Sequence, residues 1–179
     1  MKKIEKKSNF KWIILITVLA FIISFVLSLI SELIIPNTFI IINIVLVLLF
    51  IILGIIFDII GVAVTTADDK MFHSMAARKI TGVKTSISFI NNKEKVSSFC
   101  NDVIGDICGV LSGSAGLAIA IKLSDALDIS LLICTVFMTS IISALTIGGK
   151  AMGKKIAVDN SNSIVYSVTK VINLFKREK

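Results

Sequence analysis

The sequence predicts an all-α integral membrane protein: four transmembrane helices, cytoplasmic juxtamembrane amphipathic helices, and both termini in the cytoplasm. Three observations carry that prediction. Of 179 residues, 55% are hydrophobic and one is proline, and the mean hydropathy is +0.94. The apolar residues come in blocks long enough to cross a hydrocarbon core, which takes roughly 20 helical residues. The basic residues behind the net charge of +7 gather at Lys2 to Lys11, Lys70 to Lys95 and Lys150 to Lys179, with Lys122 alone outside. Basic clusters flanking apolar spans follow the positive-inside pattern of a multi-pass protein of the cell membrane, in contact with lipid. Aromatic residues do not interleave with them as a base-stacking surface requires, which excludes a nucleic-acid partner.

The first block, FKWIILITVLAFIISFVLSLISELII, runs from Phe10 to Ile35. It is too long for the apolar core of a signal peptide and lacks a small-x-small cleavage site, so it reads as a retained anchor. Residues 1–37 are thus a basic tail and a transmembrane anchor, and residues 38–179 form the remaining membrane domain. Trp12 stands where an interfacial aromatic belongs, and Pro36-Asn37-Thr38 makes an outer turn. The second block runs from Phe39 to about Ala67; its length predicts tilt or a kink, with Gly54 and Gly61 as weak points. Asp58 interrupts it. In the basic stretch that follows, Phe72, Met75, Ala76 and Ile80 recur at helical spacing opposite Lys70 and Arg78, which predicts a short interfacial helix. Gly82 separates it from a second short helix ending near Asn91-Asn92. The third span covers about Val96 to Ile121 and the fourth Ile129 to Ile147, joined by the outer turn KLSDALD and closed by Gly148-Gly149. In the tail, Ile164, Val165, Val168, Val171, Ile172 and Phe175 share one stripe of an amphipathic helix, lying on the membrane or packing under the spans.

The chemistry concentrates in the third span, which begins SSFCNDVIGDICG. At about 100° per residue, Asn101, Asp102, Gly105, Asp106, Gly109, Ser112, Gly113 and Gly116 fall within about 140° of arc. Gly105, Gly109 and Gly113 form a four-residue ladder suited to close helix packing. Packing alone does not account for Asp102 and Asp106, because an unpaired carboxylate at membrane depth costs at least ~2.5 kcal/mol. Asp58 adds a carboxylate from another helix. Oxygen ligands without paired His or Cys suit a hard cation such as magnesium. Cys100, Cys108 and Cys134 lack metal or disulfide spacing, and His73 has no nucleophile beside it, so the reading is not an enzyme and needs no organic cofactor.

Three segments carry a family likeness: FDIIGVAVTTADDKMFHSMAARKITG, SSFCNDVIGDICG and GGKAMGKKIAVDNSNSIVYSVTKVINLF. In order and spacing, Phe57 to Phe175 resembles the transmembrane domain of the CNNM/CorC (CorB) magnesium and cobalt transport proteins. The segments stand at that family's F-S-x-x-E-x-A, G-N and G-E-x-x-P-K patterns. Asp58 replaces the serine and Gly61 the glutamate of the first; Cys100 replaces the glycine of the second; Lys150 and Gly153 replace the glutamate and proline of the third. Asn101 matches the family asparagine, which the resemblance implies helps coordinate the ion. The first span lies outside the likeness, and no CBS pair follows within these residues.

The resemblance implies transport of magnesium, with cobalt as a second candidate, by a homodimer. Metal ligands are then expected at Asp58 and Asn101, with Asp102 and Asp106 as further ligands or charge attractors, and magnesium as the transported ligand. Lys150 is a candidate internal counter-charge, though a lysine there also suits the end of a span. The alternative is a non-transporting membrane scaffold or regulator whose polar helix face is a partner interface.

Overall fold

The computed structural model describes the backbone of residues 2–34 and 38–175, and the side chains of 10–33 and 38–174. The Pro36-Asn37 part of the outer turn lies outside the described residues. In chain order the elements are α1 (Lys2–Ile34), α2 (Ile40–Thr66), α3 (Asp69–Ala77), α4 (Val83–Asn91), α5 (Lys93–Ser98), a π-helical segment (Phe99–Gly105), α6 (Asp106–Leu127), α7 (Leu131–Asp159) and α8 (Ser161–Phe175). Four stretches are long and apolar enough to cross a membrane: Phe10–Leu33, Ile40–Thr66, Lys93–Leu127 and Leu131–Asp159. The fold is therefore helical and compatible with a multi-pass membrane protein. Residues such as Phe21, Leu33 and Phe39 are at least 69% exposed, which suits lipid and not water.

Two boundaries differ from the sequence reading. KLSDAL remains helical to the end of α6, and the turn shrinks to a few residues, with Asp128 in the left-handed region (φ 54°). Helix α7 does not close at Gly148-Gly149 but continues to Asp159. Glycine lowers helix propensity without forbidding a helix, and neighbouring packing overrides it.

The chain divides into two compact units. The first combines Met1–Ile51 with Asp106–Ala144. Here α1 packs on α6, with Ser31 Oγ 3.3 Å from Ser114 Oγ. Small buried residues on α6 (Ala115, Gly116, Ala118, Ala120) let neighbouring helices approach. A Cβ on Gly116 would overlap the Ile142 side chain of α7. Lys122 donates to the Thr38 carbonyl, and the Thr38 hydroxyl donates to Asn43 Oδ1. That explains the one basic residue outside the basic clusters: its ammonium caps backbone at the start of α2.

The second unit combines Ile52–Gly105 with Leu145–Lys179. Its core is Ala63, Val64, Phe72, Val83, Ile90, Ala157 and Val165. The two short helices expected after the second span are present as α3 and α4. Asp68 caps α3 by accepting from the Lys70 amide at 3.0 Å. Gly82 lies between them at φ +87°, a conformation that disfavours any side chain. Helix α8 packs against α4, and its inward line is Ser161, Val165 and Thr169, two of the three polar. Ser86 and Thr169, both 0% exposed, meet hydroxyl to hydroxyl at 2.6 Å. Thr85 Oγ1 donates to Asn173 Oδ1 at 2.7 Å, and Asn173 Nδ2 donates to the Gly82 carbonyl at 3.2 Å. Val171 and Ile172 of the expected stripe remain exposed.

Candidate functional site

The polar site lies in the second unit, where α2, α7 and the π-helical segment meet. Two contacts bring α7 close to α2. A Cβ on Gly149 would overlap the Ile55 side chain, and one on Gly153 would stand 2.8 Å from Ile59 Cγ1. These glycines are four apart, the small-xxx-small spacing that permits backbone approach in lipid. Lys150 lies between them, and its ammonium reaches to 3.8 Å from Asp58 Oδ1. The Asp58 side chain is 9% exposed and that of Lys150 27%.

Asn101 arrives from the π-helical segment. Its carboxamide fills the space in front of Gly61: a Cβ there would overlap Oδ1 and stand 2.7 Å from Cγ. Gly61 follows Asp58 by three residues, so both lie on one face of α2 about one turn apart. Asn101 Nδ2 donates to Ser97 Oγ at 3.4 Å, while its Oδ1 is buried without a hydrogen-bond partner. Asp58 Oδ2 is buried and unpartnered as well. Buried oxygen acceptors are nearly always satisfied in native proteins, and here two from separate helices lack a partner, at positions one turn apart along α2.

The other expected ligands go elsewhere. Asp102 is exposed, and its Oδ2 accepts a 2.5 Å hydrogen bond from Ser98 Oγ. Asp106 is exposed at the start of α6, in the first unit. Among the described residues, no three His, Cys, Asp or Glu side chains group closely enough to hold a metal. The reason is local. From Phe99 to Gly105 the helix takes the wider π turn, with i→i+5 bonding, so the 100° register fails at the residues it was meant to align.

The glycine ladder also divides. A Cβ on Gly105 would stand 3.6 Å from both Lys150 Nζ and the Cys100 carbonyl oxygen, placing this glycine beside the ion pair. A Cβ on Gly109 or Gly113 would meet nothing within 4 Å, so neither marks a close approach within the described chain. Close packing falls to Gly116, Gly149 and Gly153 instead. The sequence marks Gly61 as a weak point of the second span and as a lost glutamate, but not as the contact for Asn101; for Gly149 and Gly153 as packing residues, their four-residue spacing is the available signal.

The arrangement brings together one carboxylate, one carboxamide oxygen and one ammonium. Comparison with family models, curated proteins and solved structures gave no match for this chain.

Proposed function

We propose that the chain is a divalent-cation transporter of the cell membrane, with magnesium as substrate and cobalt as a second candidate. Asp58 and Asn101 contribute the protein oxygens. The reading rests on one observation above all: Asp58 Oδ2 and Asn101 Oδ1 are both buried and unpartnered, and Asn101 packs against Gly61, one turn from Asp58 on α2. Magnesium demands octahedral oxygen coordination and sheds water reluctantly, so one or two protein oxygens with retained waters match its chemistry. The CNNM/CorC likeness of Phe57 to Phe175 supports the same substrate class, a homodimer and a topology with both termini cytoplasmic. Asp102 and Asp106, exposed on their helices, act as charge attractors and not as direct ligands in this reading.

The test is magnesium flux into proteoliposomes. Asp58→Asn and Asn101→Ala are each expected to lower it at least tenfold, since losing even a residue that only orients a metal ligand costs about 10–100-fold. Wild-type flux in both variants rejects transport through this site.

A second reading has its own observation. The Asp58–Lys150 pair leaves the carboxylate with a cation of its own, as a non-transporting scaffold or regulator requires. Under it, magnesium neither crosses the membrane nor raises the melting temperature.

A further inference from the structure

We infer that Lys150 is a tethered competitor for the cation site: its ammonium covers Asp58 at rest and swings away when a divalent cation arrives. The inference rests on the proposed cation site. The pair is loose, since 3.8 Å exceeds the reach of the charge-assisted hydrogen bond that makes a permanent ion pair tight. It also engages only one carboxylate oxygen; Asp58 Oδ2 and Asn101 Oδ1 remain buried and unpartnered beside it.

Burial decides which partner can leave. Asp58 is 9% exposed and held on α2, whereas Lys150 is 27% exposed on a flexible four-carbon stem that can carry its charge outward. The stem's root is fixed, because Gly149 and Gly153 on either side hold α7 against Ile55 and Ile59. The side chain is therefore the movable part. Gly105 presents bare backbone to the ammonium, so no side chain on that residue walls it in.

Competition of this kind also selects by charge. A monovalent ion offers Asp58 no more charge than the ammonium already there, while a dication offers twice as much at similar distance. Lys150 thus excludes sodium and potassium from a site whose oxygens alone would accept them.

The experiment is a titration of the purified full chain with magnesium chloride and with sodium chloride, read by thermal unfolding. Wild type and Lys150→Gln are compared. Removing the competitor is expected to tighten magnesium binding at least about tenfold, as when a site's competent fraction rises by that factor. The same variant is expected to gain stabilisation by sodium where wild type shows none. If wild type binds magnesium and Lys150→Gln binds it no more tightly, the competitor role is overturned and the cation site stands. If neither protein binds magnesium, the cation site itself falls, and the inference with it. Should Lys150→Gln fail to fold, Lys150→Arg serves. Its guanidinium grips a carboxylate bidentately and is expected to weaken magnesium binding about tenfold; unchanged affinity overturns the inference.

Discussion

Lys150 of α7 and Asp58 of α2 approach to 3.8 Å with unequal burial, the carboxylate being the more enclosed of the two. That asymmetry predicts unequal costs of breaking the pair. In the presence of a chelator, Lys150→Met strands a carboxylate that cannot reach water, and it is expected to cost about 3 kcal/mol, the range for a broken buried pair. Asp58→Asn leaves an ammonium that can move outward and is expected to cost about 1 kcal/mol. The double variant should recover much of the loss, since both charges are gone. Unfolding in detergent micelles measures all three; additive losses would show that the groups do not interact.

Gly61 is expected to tolerate no side chain. Gly61→Ala drives a methyl into the Asn101 carboxamide, and overpacking of this kind costs about 1–3 kcal/mol. The companion change Asn101→Ala empties that space, so Gly61→Ala/Asn101→Ala should be more stable than Gly61→Ala alone. A stability equal to the single variant's would show that the clash is not where the contact places it.

The glycines of the long helices should separate into two groups. Gly153→Ala meets Ile59 Cγ1 at 2.8 Å and is expected to destabilise by about 1–3 kcal/mol. Gly109→Ala and Gly113→Ala meet open space and gain helix propensity of about 1 kcal/mol each. Melting temperatures of the three variants, measured side by side, check the sign of each change.

Between α4 and α8, Ser86 and Thr169 form a buried hydroxyl pair. Ser86→Ala removes one partner; Thr169 keeps bonds to the Val165 and Tyr166 carbonyls at 2.9 and 3.1 Å, which cushions the loss. The expected cost is about 1 kcal/mol. Thr169→Val leaves the Ser86 hydroxyl without this partner and is expected to cost more, about 2 kcal/mol. Chemical or thermal unfolding of the two variants tests the order.

The spans were legible because hydropathy and block length settle them, and Gly82 was legible because only a residue tolerant of positive φ fits between α3 and α4. Asp58 stood out as a charge in an apolar run, and Asn101 as one of the polar residues that open the third span. What escaped the sequence depends on geometry that residue order does not encode. Wheel arithmetic assumes 100° per residue, and the π-helical segment breaks that assumption at Asn101 and Asp102. The reach of Lys150 depends on α7 continuing past Gly149, which a pair of glycines argues against until packing on Ile55 and Ile59 is seen. The polar part of the α8 contact face also depends on its neighbour. Its partner α4 offers Thr85 and Ser86, so hydroxyl pairing and not apolar area chooses the face.

The most direct measurement is anomalous diffraction at the manganese edge from crystals soaked in manganese, which takes the octahedral oxygen sites of magnesium. The account predicts one peak per chain between Asp58 and Asn101, close to 2 Å from at least one of their side-chain oxygens. It also predicts that Lys150 has turned away, and that Asp58→Asn abolishes the peak. A peak elsewhere, or none at this position with the lysine still on the aspartate, would contradict it.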